Sequence, residues 1–235
     1  MLDWQPISQL KIAIDGPSGS GKGTIAKRLG EELGLPVLDT GLLYRFVGWR
    51  ASREHVLLSD EPAVIAALPG LMSDMQWCVD GIHYEGQLCT SELRSEEVGA
   101  MASQVASLPA VRSALLDVQR NVASQGAIMD GRDIGTVVLP DAQAKFFLTA
   151  SVRERARRRW AQLSNKDKMD VRDKDSMAQV QFDLEQRDKR DAERSCAPLL
   201  AADDALVVDS TVLNVDQVVD RLLAILHRRQ LIRPT

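Results

Sequence analysis

The feature that most constrains this chain is a glycine-rich segment near the amino terminus, set between an apolar run and an amphipathic pattern. Residues 12–14 are apolar and predict a buried strand, while Ile25, Leu29 and Leu33, spaced four apart, predict one face of a helix. Between them the sequence reads GPSGSGKGT, from residue 16 to residue 24. Glycines let the backbone curl, and the start of a helix offers free N–H groups and a positive dipole end. Strand, glycine loop and helix together predict a site for nucleotide phosphates, and the context disfavours the alternative of an ordinary flexible turn.

The loop supplies the residues that we predict to bind a donor nucleotide, which are Gly16, Pro17, Ser18, Gly19, Ser20, Gly21, Lys22, Gly23 and Thr24. Lys22 is expected to reach the β- and γ-phosphates as a mobile positive charge. The general phosphate-loop pattern has Ser or Thr directly after the lysine, whereas here Gly23 comes first and Thr24 second. Because the hydroxyl is displaced by one residue, a direct bond from it to magnesium is not expected.

Length and composition narrow the class of protein. At 235 residues the chain is long enough for one large α/β domain or one domain with an insertion. The net charge of −4 argues against nucleic-acid binding by bulk electrostatics. Cys78, Cys89 and Cys196 are odd in number without C-x-x-C spacing, which predicts neither a disulfide scaffold nor a zinc site. The chain has no signal-like start and no apolar run of membrane-spanning length, so a cytoplasmic enzyme is the expectation.

Five strand-then-helix units predict a parallel sheet with helices on both faces, in one domain over residues 1–235. The expected strands lie at residues 12–14, 37–38, 127–129, 144–148 and 206–208. An Asp80-Gly81 pair between strand-like segments is a hairpin signal, so residues 62–92 are predicted to form a small inserted antiparallel subdomain. Its first part is expected to be a helix over residues 62–68 that ends at Pro69-Gly70, and the chain after it a helix over residues 91–107. The polar segment 165–174 predicts a mobile loop, and residues 160–175 are interpreted as a lid.

The polar residues that follow the strands are the next candidates, because ligands in such folds bind beyond the carboxyl ends of the strands. In Asp130-Gly-Arg-Asp133, Asp130 is expected near a metal ion and Arg132 near a phosphate; the alternative is a capped turn. Arg45 follows the strand end at Asp39-Thr40 and is a candidate phosphate ligand. Asp39 or Thr40 would cap the helix there in either case.

Two arginine-containing helices complete the set of candidates. Arg155, Arg158 and Arg159 stand at i, i+3 and i+4 just before the predicted lid loop, where they would cover a polyphosphate; a solvated helix face is the alternative. Arg187, Asp191 and Arg194 share a later helix face, a spacing that by itself indicates an ordinary surface ion pair.

Six blocks lie in order along the chain from residue 11 to about residue 210: GPSGSGKGT, Asp39-Thr-Gly-x-x-Tyr-Arg45, Ala102-Ser-Gln-Val105, Asp130-Gly-Arg-Asp-Ile-Gly-Thr136, Arg187-Asp-Lys-Arg-Asp191 and Ala197-Pro-Leu. Together they resemble bacterial cytidylate kinases, a branch of the nucleoside monophosphate kinases. The resemblance implies a P-loop kinase fold, with a lid, that transfers the γ-phosphoryl group of ATP to CMP or dCMP. It also implies Mg²⁺ held through phosphates and water rather than by a protein metal site, small nucleotides rather than nucleic acid or membrane as partners, and a monomer.

The resemblance further implies a division of work among the residues of the site. The acceptor phosphate would be bound by Arg45, Arg132 and Arg194. The cytosine ring would be recognised by Ser103, Arg112 and Asp133, and the sugar would contact Thr40, Arg187 and Asp191. Tyr44 joins the acceptor site, Arg158 the donor site, and the catalytic group is Lys22, Asp130, Arg132 and Arg159. The family often has serine where this chain has Thr40, which leaves the preference between CMP and dCMP open. A kinase of another small acceptor, such as uridylate, adenylate or shikimate, and a nucleotide-binding regulatory module are the alternatives.

Overall fold

The computed structural model describes residues 4–78, 81–89, 91–166, 177–194 and 196–235. Their strands are β1 (Trp4–Pro6), β2 (Lys11–Asp15), β3 (Val37–Asp39), β4 (Met75–Cys78), β5 (Gly81–Tyr84), β6 (Gln87–Leu88), β7 (Ala127–Gly131), β8 (Ala144–Thr149), β9 (Leu206–Asp209) and β10 (Ile232–Pro234). Their α-helices are α1 (Lys22–Leu33), α2 (Thr40–Arg53), α3 (Glu61–Leu71), α4 (Glu96–Val105), α5 (Pro109–Val122), α6 (Val152–Lys166), α7 (Met177–Ala192) and α8 (Val215–Arg228).

The predicted parallel sheet is confirmed, with strand order β3-β7-β2-β8-β9. Side chains alternate across its central strand, as they must in a sheet that is covered on both faces. Ile12 and Ile14 join a core with α1 and α8, whereas Ala13 packs on the other face with Met129 and Ala123. Helices therefore cover both faces, and the carboxyl ends of the five strands form one edge.

Local sequence signals predict the end of α1 and the start of α8 correctly. Helix α1 stops at Gly34, which adopts the left-handed conformation with φ 62° and donates its N–H to Gly30 O. Helix α8 starts with a capping box, in which Asn214 and Gln217 each accept from the other's backbone N–H. These are the boundaries that the glycine and the Asn-x-x-Gln spacing indicate.

The insertion is a three-stranded antiparallel sheet of β4, β5 and β6, as the hairpin signal predicts, although Asp80 lies outside the described residues. The prediction that the preceding helix ends at Pro69 is wrong, because α3 runs on to Leu71. Proline so near the end of a helix removes only one late hydrogen bond, and burial of Leu71 supports the added turn. The single helix expected over 91–107 is also divided, since Ser95 is extended and caps α4 by accepting from Val98 N–H.

Three further parts of the chain either differ from the sequence-based prediction or were not predicted. The antiparallel pair β1–β10 joins the two ends of the described chain, and residues 134–138 form a π-helix after β7; neither is predicted by the sequence pattern. Helix α6 extends to Lys166, so the predicted lid and loop contain helix at their start, while residues 167–176 lie outside the described residues. No helix in the described ranges is both long and apolar enough to span a bilayer.

Candidate active site

The parallel register brings the strand-end carboxylates to one edge of the sheet. Asp39 of β3 lies beside Asp130 of β7, and Asp15 of β2 lies beside Gly131. Burial and the neighbouring Asp39 carboxylate raise the pKa of Asp130 above its ordinary value. One of its oxygens, Oδ1, is buried and has no hydrogen-bond partner in the described part of the chain. A buried carboxylate with a free oxygen beside a phosphate loop is suited to an approaching cation.

The glycine loop has the curled backbone that its sequence predicts. Gly19 and Gly21 have φ of 75° and 95°, and a Cβ on Gly16 would lie only 2.0 Å from the carbonyl oxygen of Leu148. Lys22 is buried beneath this curl, where its Nζ donates to Pro17 O at 2.8 Å. Burial, and then the nearby Arg132 guanidinium, lower the pKa of Lys22 to about 7. The loop therefore surrounds an amine that a bound anion would stabilise in its charged form.

Beside the loop is a cleft of about 230 Å³ that is lined by all ten predicted acceptor residues. Its wall includes Thr40, Tyr44, Arg45, Ser103, Arg112, Asp130, Arg132, Asp133, Arg159, Arg187, Asp191 and Arg194, together with Ser18 and Gly19 of the loop. These residues come from the phosphate loop, from β7 and the segment after it, from α2, α4, α5, α6 and α7, and from the segment that follows α7. Only the folded topology brings such distant segments together, and it places guanidinium groups opposite the phosphate loop.

At one end of the cleft, Arg112 and Asp133 form a buried charge-assisted hydrogen bond. Arg112 also donates to Ala106 O at 3.3 Å, and its guanidinium lies 5.4 Å from the ring centre of Tyr44. These contacts fix a donor group and an acceptor group side by side on a partly aromatic wall. Such a pair is complementary to a ring that carries both an amino group and acceptor atoms.

A second ionic group lies deeper in the cleft and centres on Asp191, whose side chain is 2% exposed. Asp191 accepts from Nε of Arg132 at 2.8 Å and from Arg194. Arg187 lies close by, where burial and then the charge of Arg132 lower its pKa to about 10. This face of α7 does not form the ordinary surface ion pair that the spacing alone indicates, because Asp191 is buried and its one carboxylate offsets only part of three converging positive charges.

Arg45 joins the cleft to the turn that precedes α4. Its Nη1 donates to Leu93 O at 2.7 Å and to Ser95 O at 2.9 Å. These carbonyls belong to the short turn before α4, so one guanidinium connects α2 to that turn. Thr40, by contrast, uses its hydroxyl to donate to Asp130 O at 2.9 Å, which leaves its oxygen lone pairs for any ligand.

The three arginines expected on one lid face of α6 have different surroundings. Arg159 lines the cleft. Arg158 instead donates to Ser20 O at 3.2 Å and to Ser210 O at 2.6 Å. Arg155 is buried and donates to Ser18 O at 2.9 Å. The expectation of one shared lid face is therefore wrong for Arg155, because the start of α6 packs directly against the loop.

Asp15 is a site-supporting residue that sequence reasoning missed. Its carboxylate accepts from Ile134 N–H at 2.8 Å and from Gly135 N–H at 2.7 Å, at the start of the π-helix. Burial, the main cause, raises its pKa to about 6 despite those two hydrogen bonds. It connects the phosphate loop to the segment that carries Arg132 and Asp133. The only sequence signal was an aspartate at a strand end, which does not identify a partner 119 residues away.

A family model described as "Cytidylate kinase" matches residues 12–228. The chain belongs to the cytidylate kinase family. The match begins inside β2 and ends at the last residue of α8, so it includes every residue of the cleft and the loop.

Individual cytidylate kinases are similar to this chain in sequence, and the similarity covers most of both chains. A cytidylate kinase of Pseudomonas putida (strain W619) is 46% identical over 233 residues, covering 94% of this chain and 97% of the relative. One from Pseudomonas aeruginosa (strain LESB58) is 47% identical over 219 residues, covering 90% and 93%. One from Desulfitobacterium hafniense (strain Y51) is 41% identical over 220 residues and covers 93% of each chain. The family resemblance therefore extends over the whole fold and is not confined to the phosphate loop.

Proposed function

We propose that this cytidylate kinase family member transfers the γ-phosphoryl group of ATP to CMP or dCMP, which gives ADP and CDP or dCDP. The observation that supports this most is the position of Lys22 and its loop next to a cleft where arginines converge from separate segments. A loop for one polyphosphate and a cationic cleft for a second phosphorylated ligand suit a transfer between two nucleotides.

The donor nucleotide would bind along residues 16–24. Backbone N–H groups of the glycine loop and the start of α1 would cradle its phosphates, and Lys22 would contact the β- and γ-phosphates. Arg158 supports the same loop through Ser20 O and stands where it could reach the donor. Anion binding would restore the full charge of Lys22, because a neighbouring phosphate raises the pKa of an amine.

The acceptor phosphate would take Arg45, Arg132 and Arg194 as ligands. Arg132 and Arg194 are oriented by Asp191, and Arg45 by the carbonyls of Leu93 and Ser95. Each guanidinium keeps further N–H donors beyond those bonds, and its planar fork matches phosphate geometry. The cleft thus holds the arginines in place before the acceptor arrives.

The cytosine ring would be read by Ser103, Arg112 and Asp133. The carboxyl oxygens of Asp133 would accept a hydrogen bond from the exocyclic amino group, and Arg112 would donate to the ring acceptors. Uracil carries a carbonyl where cytosine carries the amino group, so it would place an acceptor against the carboxylate. Ser103 lies on the cleft wall and now donates to Gly99 O at 3.1 Å, a bond that leaves its oxygen able to accept.

The sugar would lie near Thr40, Arg187 and Asp191, and Tyr44 would pack beside Arg112 under the ring. Thr40 already donates its proton to Asp130 O, so its hydroxyl would act toward a ribose only as an acceptor. The extra methyl group of threonine, compared with serine, narrows the space at this point.

Magnesium is the cation that such a reaction requires with ATP, and Asp130 fits it. Its buried Oδ1 has no partner in the described part of the chain, and carboxylate oxygen is a ligand that Mg²⁺ favours. Asp130 would hold the ion through water, close to the phosphate loop. When bound, the ion would neutralise charge on the β- and γ-phosphate oxygens.

The chain's own residues would then position and shield the reaction. Lys22, Arg132 and Arg159 would stabilise negative charge on the transferred group, a role for which one donor is typically worth about 3–4 kcal/mol. No covalent intermediate is needed, because the two nucleotides react in line. Residues 160–175 would close as a lid over the phosphates and exclude water, and residues 62–92 would act as the acceptor-side subdomain.

A regulatory nucleotide-binding module is the alternative, and a coupled ADP-release assay with ATP, Mg²⁺ and each monophosphate separates the two. We expect CMP and dCMP to be the best acceptors, UMP to be poor and AMP to be inactive. Equal rates with AMP would remove the cytosine assignment, and no turnover with any acceptor would favour the regulatory module.

We also propose that the protein works in the cytoplasm as a monomer on free nucleotides. The net charge of −4 gives no bulk electrostatic attraction for nucleic acid. Sedimentation velocity with and without the two nucleotides would test the monomer.

A further inference from the structure

We infer that the ion pair between Arg155, which is buried, and Asp188, which is partly buried, is a positioning joint that sets the donor loop against the part of α7 that carries Arg187 and Asp191. Nη1 of Arg155 lies 2.6 Å from Oδ2 of Asp188 and donates to Ser18 O at 2.9 Å. Nε of the same side chain donates to Ala150 O at 3.0 Å. One guanidinium thus connects the phosphate loop, the start of α6 and helix α7.

The spacing of residues along α7 shows that Asp188 lies on the helix face that packs against α6. Val180 and Leu184 pack on Ala156 of α6 in a small apolar cluster. Asp188 follows at the same four-residue interval, so it continues the stripe that faces α6. Among the described residues this apolar cluster has three members, and the Arg155–Asp188 ion pair adds a directional contact beside it that opposes rotation or sliding of α7.

The residues next to Asp188 explain what the joint would position. Arg187 precedes it and Asp191 follows one turn later, and both line the cleft. On the other side of the joint, Ser18 and Gly19 of the loop line the same cleft. Gly19 is packed so closely that a Cβ there would lie 3.1 Å from Cβ of Arg155. A shift at the joint would therefore change the distance between the two bound nucleotides.

The burial of the two side chains favours a positioning role for the ion pair over a role that only holds the two helices together. The side chain of Arg155 is 5% exposed and that of Asp188 is 21% exposed. Burying two charges costs desolvation energy, and a pair of apolar side chains would often dock two helices equally well. What an apolar pair would not reproduce is the directional hydrogen bond from Arg155 to Ser18 O.

The test rests on the proposed function. In the full chain it compares the affinities for two separate ligands with the affinity for one probe that links them. The central variant is Arg155→Met/Asp188→Leu, which removes both charges together and leaves no unpaired buried ion. Arg155→Lys is the conservative variant, because it keeps a positive charge and an N–H donor for Ser18 O and Asp188 while it loses the bond from Nε to Ala150 O. Arg153→Met is the matched control, since it removes an exposed arginine from the same helix.

Three quantities would be measured: the thermal midpoint, the kcat with ATP and CMP, and calorimetric affinities. The ligands would be ADP alone, CMP alone, and a linked probe in which adenosine and cytidine are joined through five phosphates. If the joint positions the two sites, the double variant keeps its affinities for ADP and for CMP within about threefold of the wild type. Its kcat falls on the order of 100-fold, because a displacement of about 1 Å is enough for that loss. Affinity for the linked probe falls by a similar factor, because both halves no longer fit at once.

For Arg155→Lys we expect a kcat and a probe affinity between those of the wild type and the double variant. For Arg153→Met we expect both quantities to equal those of the wild type. The inference is overturned if the folded double variant retains the wild-type kcat and probe affinity. It is equally overturned if ADP and CMP alone weaken as much as the probe, because that result means local damage to each site. Failure of the wild type itself to bind the probe or phosphorylate CMP would instead refute the proposed function.

Discussion

Nε of Arg132 lies 2.8 Å from Oδ2 of Asp191, a contact that joins the segment after β7 to helix α7 across 59 residues of sequence. Arg194 approaches the other oxygen of the same carboxylate. Two of the proposed phosphate ligands are thus held by one buried anion, which links the stability of the fold to the shape of the acceptor site.

Replacing Asp191 with alanine is expected to affect both properties. Two guanidinium groups would lose their shared partner at a site where the carboxylate is 2% exposed. Breaking a buried pair in this way typically costs about 3–5 kcal/mol of unfolding free energy. Urea denaturation would measure the loss, and the KM for CMP is expected to rise. Asp191→Asn, which keeps one acceptor oxygen, should lose less; an alanine variant as stable as the wild type would contradict this assignment.

Gly99→Ala is expected to impair acceptor binding while the fold stays intact. An added Cβ on Gly99 would lie 2.9 Å from Nη2 of Arg45, so the flexible end of that arginine must move. A displaced charged hydrogen bond is worth about 1.5–3 kcal/mol, which corresponds to at least about a tenfold rise in the KM for CMP.

Gly70→Ala in α3 is the matched control, because a Cβ there meets nothing within 4 Å. It should leave the KM unchanged and raise stability by up to about 1 kcal/mol through helix propensity. If the two alanine variants showed the same KM for CMP, the role of Arg45 in the acceptor site would be refuted.

Asp133→Asn is expected to relax the choice of base. The substituted amide presents an N–H donor, which suits the carbonyl of uracil better than the amino group of cytosine. A change of about 1–3 kcal/mol per base contact predicts that the ratio of kcat/KM for CMP over UMP falls by about tenfold or more. Steady-state kinetics with both acceptors would measure it, with the exposed Asp141→Asn as control. An unchanged ratio would show that Asp133 does not read the base.

Binding of a nucleotide at the loop is expected to take up a proton. The pKa of Lys22 is about 7, so at pH 8 most of its amines are neutral. A phosphate placed beside the amine raises that pKa and draws a proton from the buffer. Calorimetry with ADP in the absence of Mg²⁺, in buffers of different ionisation enthalpy, should show uptake at pH 8 and much less at pH 6. The Lys22→Met variant should lose it, and equal uptake in that variant would assign the proton to another group.

Local sequence patterns predicted the parts of this structure whose cause is local. The glycine loop, the end of α1 at Gly34 and the capping box at Asn214 each depend on neighbours within a few residues. Arg45 and Arg132 were indicated by their positions after strands. Arg187 and Arg194 were assigned to the acceptor cleft through the family resemblance, since their spacing along α7 alone indicated a surface ion pair.

Contacts between distant segments left no such pattern. Asp15 meets Ile134 and Gly135 more than 100 residues later, and Arg155 meets Ser18 through a loop packed beneath α6. Hydrophobic periodicity reports which face of a helix is buried, and not which charged group it will meet there. For the same reason Arg155 was grouped with Arg158 and Arg159, although the fold gives each of them a different partner.

The most direct test of the account is a crystal structure of the protein with ADP and CMP bound together. The account predicts the ADP phosphates inside the curl of residues 16–24, with Nζ of Lys22 at about 3 Å from a β-phosphate oxygen. It predicts the CMP phosphate between Arg45, Arg132 and Arg194, and the cytosine amino group on Asp133. A CMP molecule bound elsewhere, or bound with its phosphate turned away from Lys22, would contradict it.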